Sequence, residues 1–163
     1  MGYNGKRFKI YKFRSMYLDA EERKAELMKD NKLGDGKMFK IDFDPRVIGN
    51  KVMSDGSHKT GIGEFIRKTS LDEFPQFINV LLGQMSLIGP RPYLPREKED
   101  MGQYYNDVVA CKPGITGMWQ SHGRSDVDFD HRLVLDEYYF RNWSFWLDVT
   151  LLFKTVKQVL YGR

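Results

Sequence analysis

The sequence is poor in residues that crosslink a chain or hold a structural metal. Its 163 residues include one cysteine, Cys111, and three scattered histidines, at positions 58, 122 and 131. A lone cysteine excludes an internal disulfide and indicates a reducing compartment. One cysteine and three scattered histidines also lack the paired spacings of a structural zinc site.

A long apolar run is missing too. The first residues, 1–6, contain no apolar segment of the kind found in a signal peptide. The longest uncharged stretch, residues 74–90, is interrupted by Pro75, Gly83 and Gly89. It therefore does not predict a transmembrane helix, and the chain by itself is not expected to span a bilayer.

Charge of one sign is only mildly in excess. The 26 basic and 22 acidic residues give a net charge of +4, which suits an anionic substrate, an anionic membrane or nucleic acid equally well. Hydrophobic residues make up 41% and charged residues 29%, as in ordinary globular proteins. The length predicts a single domain over residues 1–163.

Local patterns predict an α+β fold that is mainly helical, with a small sheet or hairpin near the N-terminus. Short strands are predicted at residues 8–13 and 38–41, helices at 18–30, 74–81, 126–139 and after 143, and loops or turns at 49–63 and 112–117. The last helix carries apolar residues on several sides. This pattern fits either a buried helix or one that lies against lipid, and both interpretations stay open.

The most informative segment contains two adjacent acids, Asp72 and Glu73, just after Arg67 and Lys68. One interpretation is purely structural, because Ser70 and Glu73 have the spacing of a capping box at a helix start. The other is catalytic. A carboxylate at a helix N-terminus beside an arginine stays ionised, so it is available as a nucleophile on phosphorus or as a magnesium ligand.

Phosphoryl transfer also needs fixed positive charge around the phosphates. The candidate phosphate-binding residues are Lys12, Arg14, Arg67 and Arg91. Each alone is more often a surface charge, but together with the acidic pair they indicate a site for an anionic substrate. Asp126, Asp128 and Asp130 have the spacing of a calcium loop, but His131 stands where that loop needs glycine, so calcium binding is not predicted.

Three segments carry a family resemblance. They are Tyr11-Lys-Phe-Arg-Ser-Met16, the block from Lys68 to Pro92 that contains Leu-Asp-Glu-Phe-Pro-Gln and ends in Gly-Pro-Arg-Pro, and Pro113-Gly-Ile-Thr-Gly-Met-Trp-Gln120 followed by Gly123-Arg124. In this order, and over nearly the whole chain, the sequence resembles the bacterial sugar transferases, also called monotopic phosphoglycosyl transferases.

The resemblance implies a two-step transfer of a hexose-1-phosphate from a UDP-sugar donor to a polyprenyl phosphate acceptor, with release of UMP. It implies that Asp72 is the nucleophile, that Glu73 binds the essential Mg²⁺, and that Lys12, Arg67 and Arg91 contact phosphates. Gln120 and Arg124 are expected at the nucleotide sugar. The expected location is the cytoplasmic face of the bacterial inner membrane, with homo-oligomers possible and no nucleic-acid partner.

The sequence departs from the family pattern in three places. The resemblance leads us to expect, upstream of residue 8, an apolar helix that re-enters the membrane, and residues 1–7 do not form such a segment. Residues 50–59 look like an insertion, and Glu64 stands where a basic residue is expected. Marginal solubility or oligomer formation is expected if a lipid-facing surface is exposed.

Two other functions remain open from the residues alone. A basic domain that docks on anionic membranes or nucleic acid would bind without chemistry and would not need Asp72 or Glu73. A magnesium phosphatase would use the same acidic pair with water as the acceptor.

Overall fold

The computed structural model of the protein describes residues 1–32, 39, 41–121 and 128–161. Within these residues the helices are α1 (Ala20–Leu27), α2 (Ile62–Lys68), α3 (Gln76–Leu81), α4 (Tyr105–Val109), α5 (Met118–Ser121), α6 (Phe129–Arg141) and α7 (Phe145–Tyr161). The strands are β1 (Lys51–Val52), β2 (His58–Lys59), β3 (Ser86–Ile88) and β4 (Gly114–Thr116). Single 3-10 turns lie at Tyr3–Gly5, Met28–Asp30, Leu71–Glu73, Pro95–Glu97 and Gly102–Tyr104.

The elements confirm the predicted α+β class, with helices dominant and a small hairpin formed by β1 and β2. They fall into two compact units, one formed by Lys12–Phe74 and the other by Met1–Tyr11 with Pro75–Arg163. Two such units can belong to one folding domain, so the single domain over residues 1–163 stays a prediction.

In the unit Lys12–Phe74, a buried ion pair fixes the chain after α1. Arg46 makes a two-pronged contact with Asp44, at 2.9 Å (Nε to Oδ1) and 2.7 Å (Nη2 to Oδ2). Burial would raise the pKa of Asp44, but the hydrogen bonds from Arg46 outweigh it and hold the pKa below its ordinary value. The guanidinium of Arg46 also lies 4.3 Å from the ring centroid of Phe39.

The same unit contains the predicted insertion, which forms a closed hairpin. Strands β1 and β2 pair antiparallel, with Lys51 opposite Lys59. Buried Asn50 closes the base, because its Oδ1 accepts from the Gly61 N–H at 2.8 Å and its Nδ2 donates to the Asp44 carbonyl at 2.9 Å. The prediction of a loop over residues 49–63 was therefore wrong for β1, β2 and the start of α2.

In the unit formed by Met1–Tyr11 and Pro75–Arg163, a parallel pair of strands lies at the core. Ser86 of β3 pairs with Gly114 of β4, and Ile88 pairs with Thr116. The buried side chains that pack around this pair are Ile88, Met118, Tyr139 and Leu151. The hydroxyls of Thr116 and Thr155 lie 2.8 Å apart and link β4 to α7. The turn predicted over residues 112–117 was wrong, since strand β4 occupies its centre.

Glycines allow this pair to end in close backbone contact. The Gly89 N–H donates to the Thr116 carbonyl at 2.9 Å, and the Gly114 N–H donates to the Pro90 carbonyl at 2.8 Å. A Cβ on Gly117 would lie 2.2 Å from the Gly89 carbonyl oxygen, and one on Gly89 would lie 2.5 Å from the Lys112 carbonyl oxygen. No side chain fits at either position.

The strand predicted at residues 8–13 does not form. The main chain there bonds to other partners, since the Tyr11 N–H donates to the side chain of Asn79 at 3.0 Å and the Phe13 N–H donates to the Asp72 carbonyl at 3.0 Å. The helix predicted at 18–30 is confirmed as α1 and its following turn, and α3 and α7 are where helices were predicted. The helix predicted at 126–139 begins at Phe129, capped by the Asp128 side chain. Residues 126–127, and 38 and 40 of the second predicted strand, lie outside the described residues.

Candidate active site

The acidic pair lies on a 3-10 turn, Leu71–Glu73, that follows α2 after a sharp change of direction. Ser70 produces the change, because its φ of 58° places it in the left-handed region, which non-glycine residues adopt at a cost. Ser70 makes no side-chain capping hydrogen bond. The capping-box interpretation of Ser70 and Glu73 was therefore wrong.

The segment Lys12–Phe13 holds the acidic pair through two contacts. The Phe13 N–H donates to the main-chain carbonyl of Asp72 at 3.0 Å. The Lys12 ammonium pairs with Glu73, with Nζ 3.0 Å from Oε1. The two adjacent carboxyl groups are thus partnered differently, with Glu73 in an ion pair and Asp72 fixed through its backbone.

Electrostatics distinguishes the two acids further. Partial burial raises the pKa of the half-buried Asp72, the positive charges of Lys12 and Arg67 lower it, and the negative charge of Glu73 raises it, with a net increase. The sequence predicted the influence of Arg67 but not the desolvation. A desolvated carboxylate loses hydration that would otherwise impede its attack on phosphorus.

Two more of the predicted cations belong to the same unit. Arg67 lies in the last turn of α2, exposed, and its charge acts on both Asp72 and Asp44. Arg14 is exposed two residues beyond Lys12. The structure thus brings Lys12, Arg67, Asp72 and Glu73 into one electrostatic group.

The donor set of the acidic pair fits Mg²⁺. Among the described residues, no cluster of three or more His, Cys, Asp or Glu side chains is arranged around a possible metal position. Magnesium, however, is usually held by one or two carboxylates together with waters and substrate phosphates. Glu73, whose Oε1 already pairs with a cation, has the hard oxygen donors that such an ion takes.

Arg91 belongs to the other compact unit, where its side chain is well supported. Its guanidinium carbon lies 5.3 Å from the ring centroid of Tyr93, and its Nη2 lies 3.5 Å from Oε1 of Glu97. The Tyr93 hydroxyl donates to Asp136 Oδ2 at 2.9 Å. A planar, oriented guanidinium of this kind suits a phosphate group.

The two residues predicted at the nucleotide sugar have different outcomes. Gln120 lies on α5 in the same unit as Arg91 and is buried. Its Oε1 has no hydrogen-bond partner among the residues that the structure describes. A buried amide oxygen without a partner is uncommon in a native fold. Arg124 lies outside the described residues.

Sequence reasoning missed two buried polar residues. Asn79 on α3 donates to the Lys9 carbonyl at 2.7 Å and accepts from the Tyr11 N–H. Asp136 on α6 is completely buried. A signal for Asp136 was present, since Phe129, Leu133 and Asp136 follow helical spacing and place an acid within an apolar stripe.

Two helices of this unit also expose large apolar side chains. On α3, Phe77, Ile78 and Leu81 are exposed, and Leu81 retains 87% of its surface. On α7, the exposed apolar side chains are Phe145, Trp146, Leu152, Phe153, Val156 and Val159. Within the described part of the chain, no helix combines the length and hydrophobicity needed to cross a membrane.

A family model described as bacterial sugar transferase matches residues 1–162. Among curated proteins, the chain is 45% identical to the undecaprenyl-phosphate galactose phosphotransferase of Salmonella typhimurium, over 98% of this chain and 32% of that protein. It is 36% identical to the undecaprenyl-phosphate glucose phosphotransferase of Komagataeibacter xylinus, over 99% of this chain and 28% of that protein.

A shorter relative is covered more fully. The exopolysaccharide production protein ExoY of Sinorhizobium fredii is 36% identical over the whole of this chain and 68% of its own length. By contrast, the chain spans about a third of the length of the Salmonella relative.

Proposed function

This chain belongs to the bacterial sugar transferase family, and on that premise we propose that it transfers a hexose-1-phosphate from a UDP-sugar to undecaprenyl phosphate or a similar polyprenyl phosphate. The product would enter capsule, exopolysaccharide or O-antigen synthesis. The observation that carries the proposal is the unequal partnering of two adjacent acids, with Lys12 on Glu73 and a half-buried Asp72 beside them.

In the first proposed step, a carboxylate oxygen of Asp72 attacks the phosphorus that bears the sugar. The bond between this phosphorus and the oxygen bridging to UMP breaks, and UMP leaves with the electron pair. The sugar phosphate is then bound to Asp72 as an acyl phosphate. The raised pKa of Asp72 goes with a more basic and less hydrated oxygen than that of an exposed aspartate.

In the second proposed step, a phosphate oxygen of the polyprenyl phosphate attacks the same phosphorus. The bond to Asp72 breaks, the carboxylate is regenerated, and a polyprenyl diphosphate sugar is released. Both steps bring an anion to an anion, so the surrounding positive charge decides the rate.

Three kinds of group supply that charge. Glu73 would hold Mg²⁺, which would supply positive charge next to the diphosphate of the donor. Lys12 and Arg67 act on Asp72, and Lys12 also pairs with Glu73. Arg14 and Arg91 contribute phosphate contacts. Gln120 and Arg124 contact the nucleotide sugar.

The lipid acceptor requires the enzyme to work at a membrane. We propose that it acts at the cytoplasmic face of the bacterial inner membrane, as a monomer or homo-oligomer. The exposed apolar side chains of α3 and α7 support this location, because surface of this kind and extent marks an interaction site.

Covalent labelling tests the proposed nucleophile. Full-length protein in membranes is incubated with Mg²⁺ and UDP-galactose or UDP-glucose labelled in the sugar, then denatured, and label on the protein is measured. We expect a labelled adduct that hydroxylamine removes, as for an acyl phosphate. Asp72→Asn should abolish it, whereas Glu73→Gln should slow its formation and weaken its metal dependence.

Asp19→Asn is the matched control, since it removes a partly exposed aspartate of the same unit whose Oδ2 pairs with Arg23 at 2.7 Å. An adduct that persists in Asp72→Asn would contradict the assignment of the nucleophile. Product analysis then separates transfer from hydrolysis, because lipid-linked sugar is expected and free sugar phosphate would indicate a phosphatase.

A further inference from the structure

Asp136 is a buried carboxyl group that the proposed chemistry does not use. It lies on α6 with none of its surface exposed. Its Oδ2 accepts hydrogen bonds from the Arg91 main-chain N–H at 3.3 Å and from the Tyr93 hydroxyl at 2.9 Å. Its Oδ1 is buried and has no hydrogen-bond partner within the described part of the chain. Burying a carboxyl group that is only partly satisfied is costly, so its presence here needs a reason.

Both donors to Asp136 belong to the segment that carries Arg91. The ring of Tyr93 lies 5.3 Å from the Arg91 guanidinium carbon, and Oε1 of Glu97 lies 3.5 Å from Nη2. The hydroxyl that Asp136 fixes is therefore on the same ring that supports the guanidinium. Tyr93 is also held by an edge-to-face contact with Phe129, at 5.9 Å between ring centroids.

The main chain just before Arg91 is held independently. The Pro90 carbonyl accepts from the Gly114 N–H at 2.8 Å, and the preceding Gly89 N–H donates to Thr116. Strand β4 thus fixes the segment on one side of Arg91, and Asp136 fixes Arg91 itself. Only the side chain of Arg91 keeps freedom, and the Tyr93 ring with Glu97 limits it.

We propose that Asp136 is a positioning residue for Arg91, which it holds through the Arg91 main-chain N–H and the Tyr93 hydroxyl so that the guanidinium is oriented to bind a substrate phosphate. This inference rests on the proposed function, in which Arg91 contacts phosphate. A misplacement of about 1 Å in such a contact can cost on the order of a hundredfold in rate.

The ionisation of Asp136 makes the role testable by pH. Burial raises the pKa of Asp136 to about 7, against the hydrogen bonds from Tyr93 and Arg91 and the charges of Arg91 and Arg132. Cys111, whose thiol pKa is raised by burial and by Asp136, and Glu97, which acts on Arg132, are further titratable groups around it. An ionised acceptor binds its donors more strongly than a neutral one, so protonation loosens the hold on Arg91.

A double-mutant cycle on full-length protein in membranes tests the inference. Asp136→Asn keeps an acceptor oxygen and removes the charge, while Tyr93→Phe keeps the ring and removes the hydroxyl. Each is expected to lower kcat/KM for the UDP-sugar about tenfold, corresponding to the loss of one charge-assisted hydrogen bond. In an Arg91→Gln background, the same changes should have less than about a twofold effect, because Arg91 is no longer there to be positioned.

Glu137→Gln is the matched control, since it removes a neighbouring carboxylate on α6 that pairs with Arg141 at 2.8 Å. It should leave kcat/KM and its pH profile unchanged. Wild-type kcat/KM should fall as pH decreases through about 7, and this inflection should be absent in Asp136→Asn. If Asp136→Asn does not fold, Tyr93→Phe completes the same cycle, and calorimetric binding of UDP repeats it without turnover.

The possible failures are distinguishable. Suppose that Arg91→Gln impairs the enzyme, and that the Asp136 and Tyr93 substitutions lower kcat/KM by the same factor with and without Arg91. The positioning inference is then wrong and the proposed function stands. If Arg91→Gln changes neither kcat/KM nor UDP binding, Arg91 contacts no phosphate and the positioning inference falls with that part of the proposed function. If the labelled adduct does not depend on Asp72, the cycle measured by UDP binding still tests the positioning inference by itself.

Discussion

Lys12 and Glu73 form an ion pair, and the Mg²⁺ proposed above would compete with Lys12 for Glu73. The pair is partly exposed, with 45% of the Lys12 side chain and 34% of the Glu73 side chain accessible to solvent. Exposed pairs of this kind contribute about 0.2–1 kcal/mol. The ion pair with Lys12 is therefore strong enough to orient the Glu73 carboxylate. It is also weak enough for the proposed Mg²⁺ to displace Lys12.

Replacing Lys12 should strengthen metal binding. In Lys12→Met, Glu73 loses its competing partner and the site loses a positive charge, so we expect the Mn²⁺ dissociation constant to fall about two- to fivefold. Electron paramagnetic resonance titration of Mn²⁺ measures this directly. Lys68→Met, which removes the exposed lysine 3.7 Å from Glu64, is the control and should leave the constant unchanged. Weaker Mn²⁺ binding in Lys12→Met would contradict this account.

Asp136 should make stability depend on pH. Its pKa is about 7 in the folded protein, compared with about 3.9 in an unfolded chain. Because the folded pKa is raised, the folded state binds the extra proton, so the contribution of Asp136 to stability is fully present below about pH 4 and is lost as pH rises through about 7. Asp136→Asn has no such proton to lose.

Urea unfolding at about pH 5 and about pH 8 measures the difference. Between these values, the free energy of unfolding of the wild type should fall by a few kcal/mol relative to that of Asp136→Asn. Parallel pH dependences for the two proteins would show that Asp136 is not the titrating group.

At the scale of elements, periodicity predicted the helices well and the strands poorly. Helices α1, α6 and α7 have enough turns for a 3.6-residue pattern to show. Strands β3 and β4 have three residues each, and the hairpin strands have two. Alternation of apolar and polar residues cannot be recognised over so few residues. The hairpin also depends on three hydrogen bonds of the Asn50 side chain, and no local sequence pattern predicts them.

Two glycines of the hairpin should respond differently to alanine. A Cβ on Gly61 would lie 2.3 Å from the Cα of Gly49 and 2.6 Å from the Ile48 carbonyl oxygen, both main-chain atoms, so Gly61→Ala should lower the free energy of unfolding by about 3 kcal/mol. Gly56 has φ +80° and open space around it, so Gly56→Ala should cost only the left-handed conformation, about 1 kcal/mol. Urea unfolding of both variants measures these values, and equal losses would mean that the base of the hairpin is not closed as described.

At the scale of the whole molecule, the site was predictable to the extent that it rests on charge. The closeness of Arg67 and Lys68 to Asp72 and Glu73 is visible in the sequence. In the structure the charges of Lys12 and Arg67 act on Asp72, and Lys12 pairs with Glu73. The supporting residues Asn79 and Asp136 were not found, because a buried polar side chain is defined by contacts that are distant in sequence.

For the same reason, the sequence left open whether the aromatic residues of α7 are core or surface. The structure leaves Phe145, Trp146 and Phe153 exposed.

Those three side chains should govern attachment to lipid. The triple variant Phe145→Ser, Trp146→Ser, Phe153→Ser should lower the partition coefficient to vesicles of phosphatidylglycerol and phosphatidylethanolamine by at least about tenfold, because each loses apolar surface available for burial. Sedimentation with the vesicles measures the partition. Val134→Ser with Tyr138→Ser, which changes exposed apolar residues of α6, is the control and should have little effect. Unchanged partition of the triple variant would place the lipid contact elsewhere.

The contact between Gly89 and Gly117 has a consequence for chimeras with relatives. Since main chain contacts main chain there, neither Gly89 nor Gly117 has a side chain that could adjust to a different neighbouring segment. In a chimera that takes only residues 86–92 from a relative, the new segment would have to pack against the original residues 113–117. Residues 86–92 and 113–117 should therefore be replaced together in such a chimera.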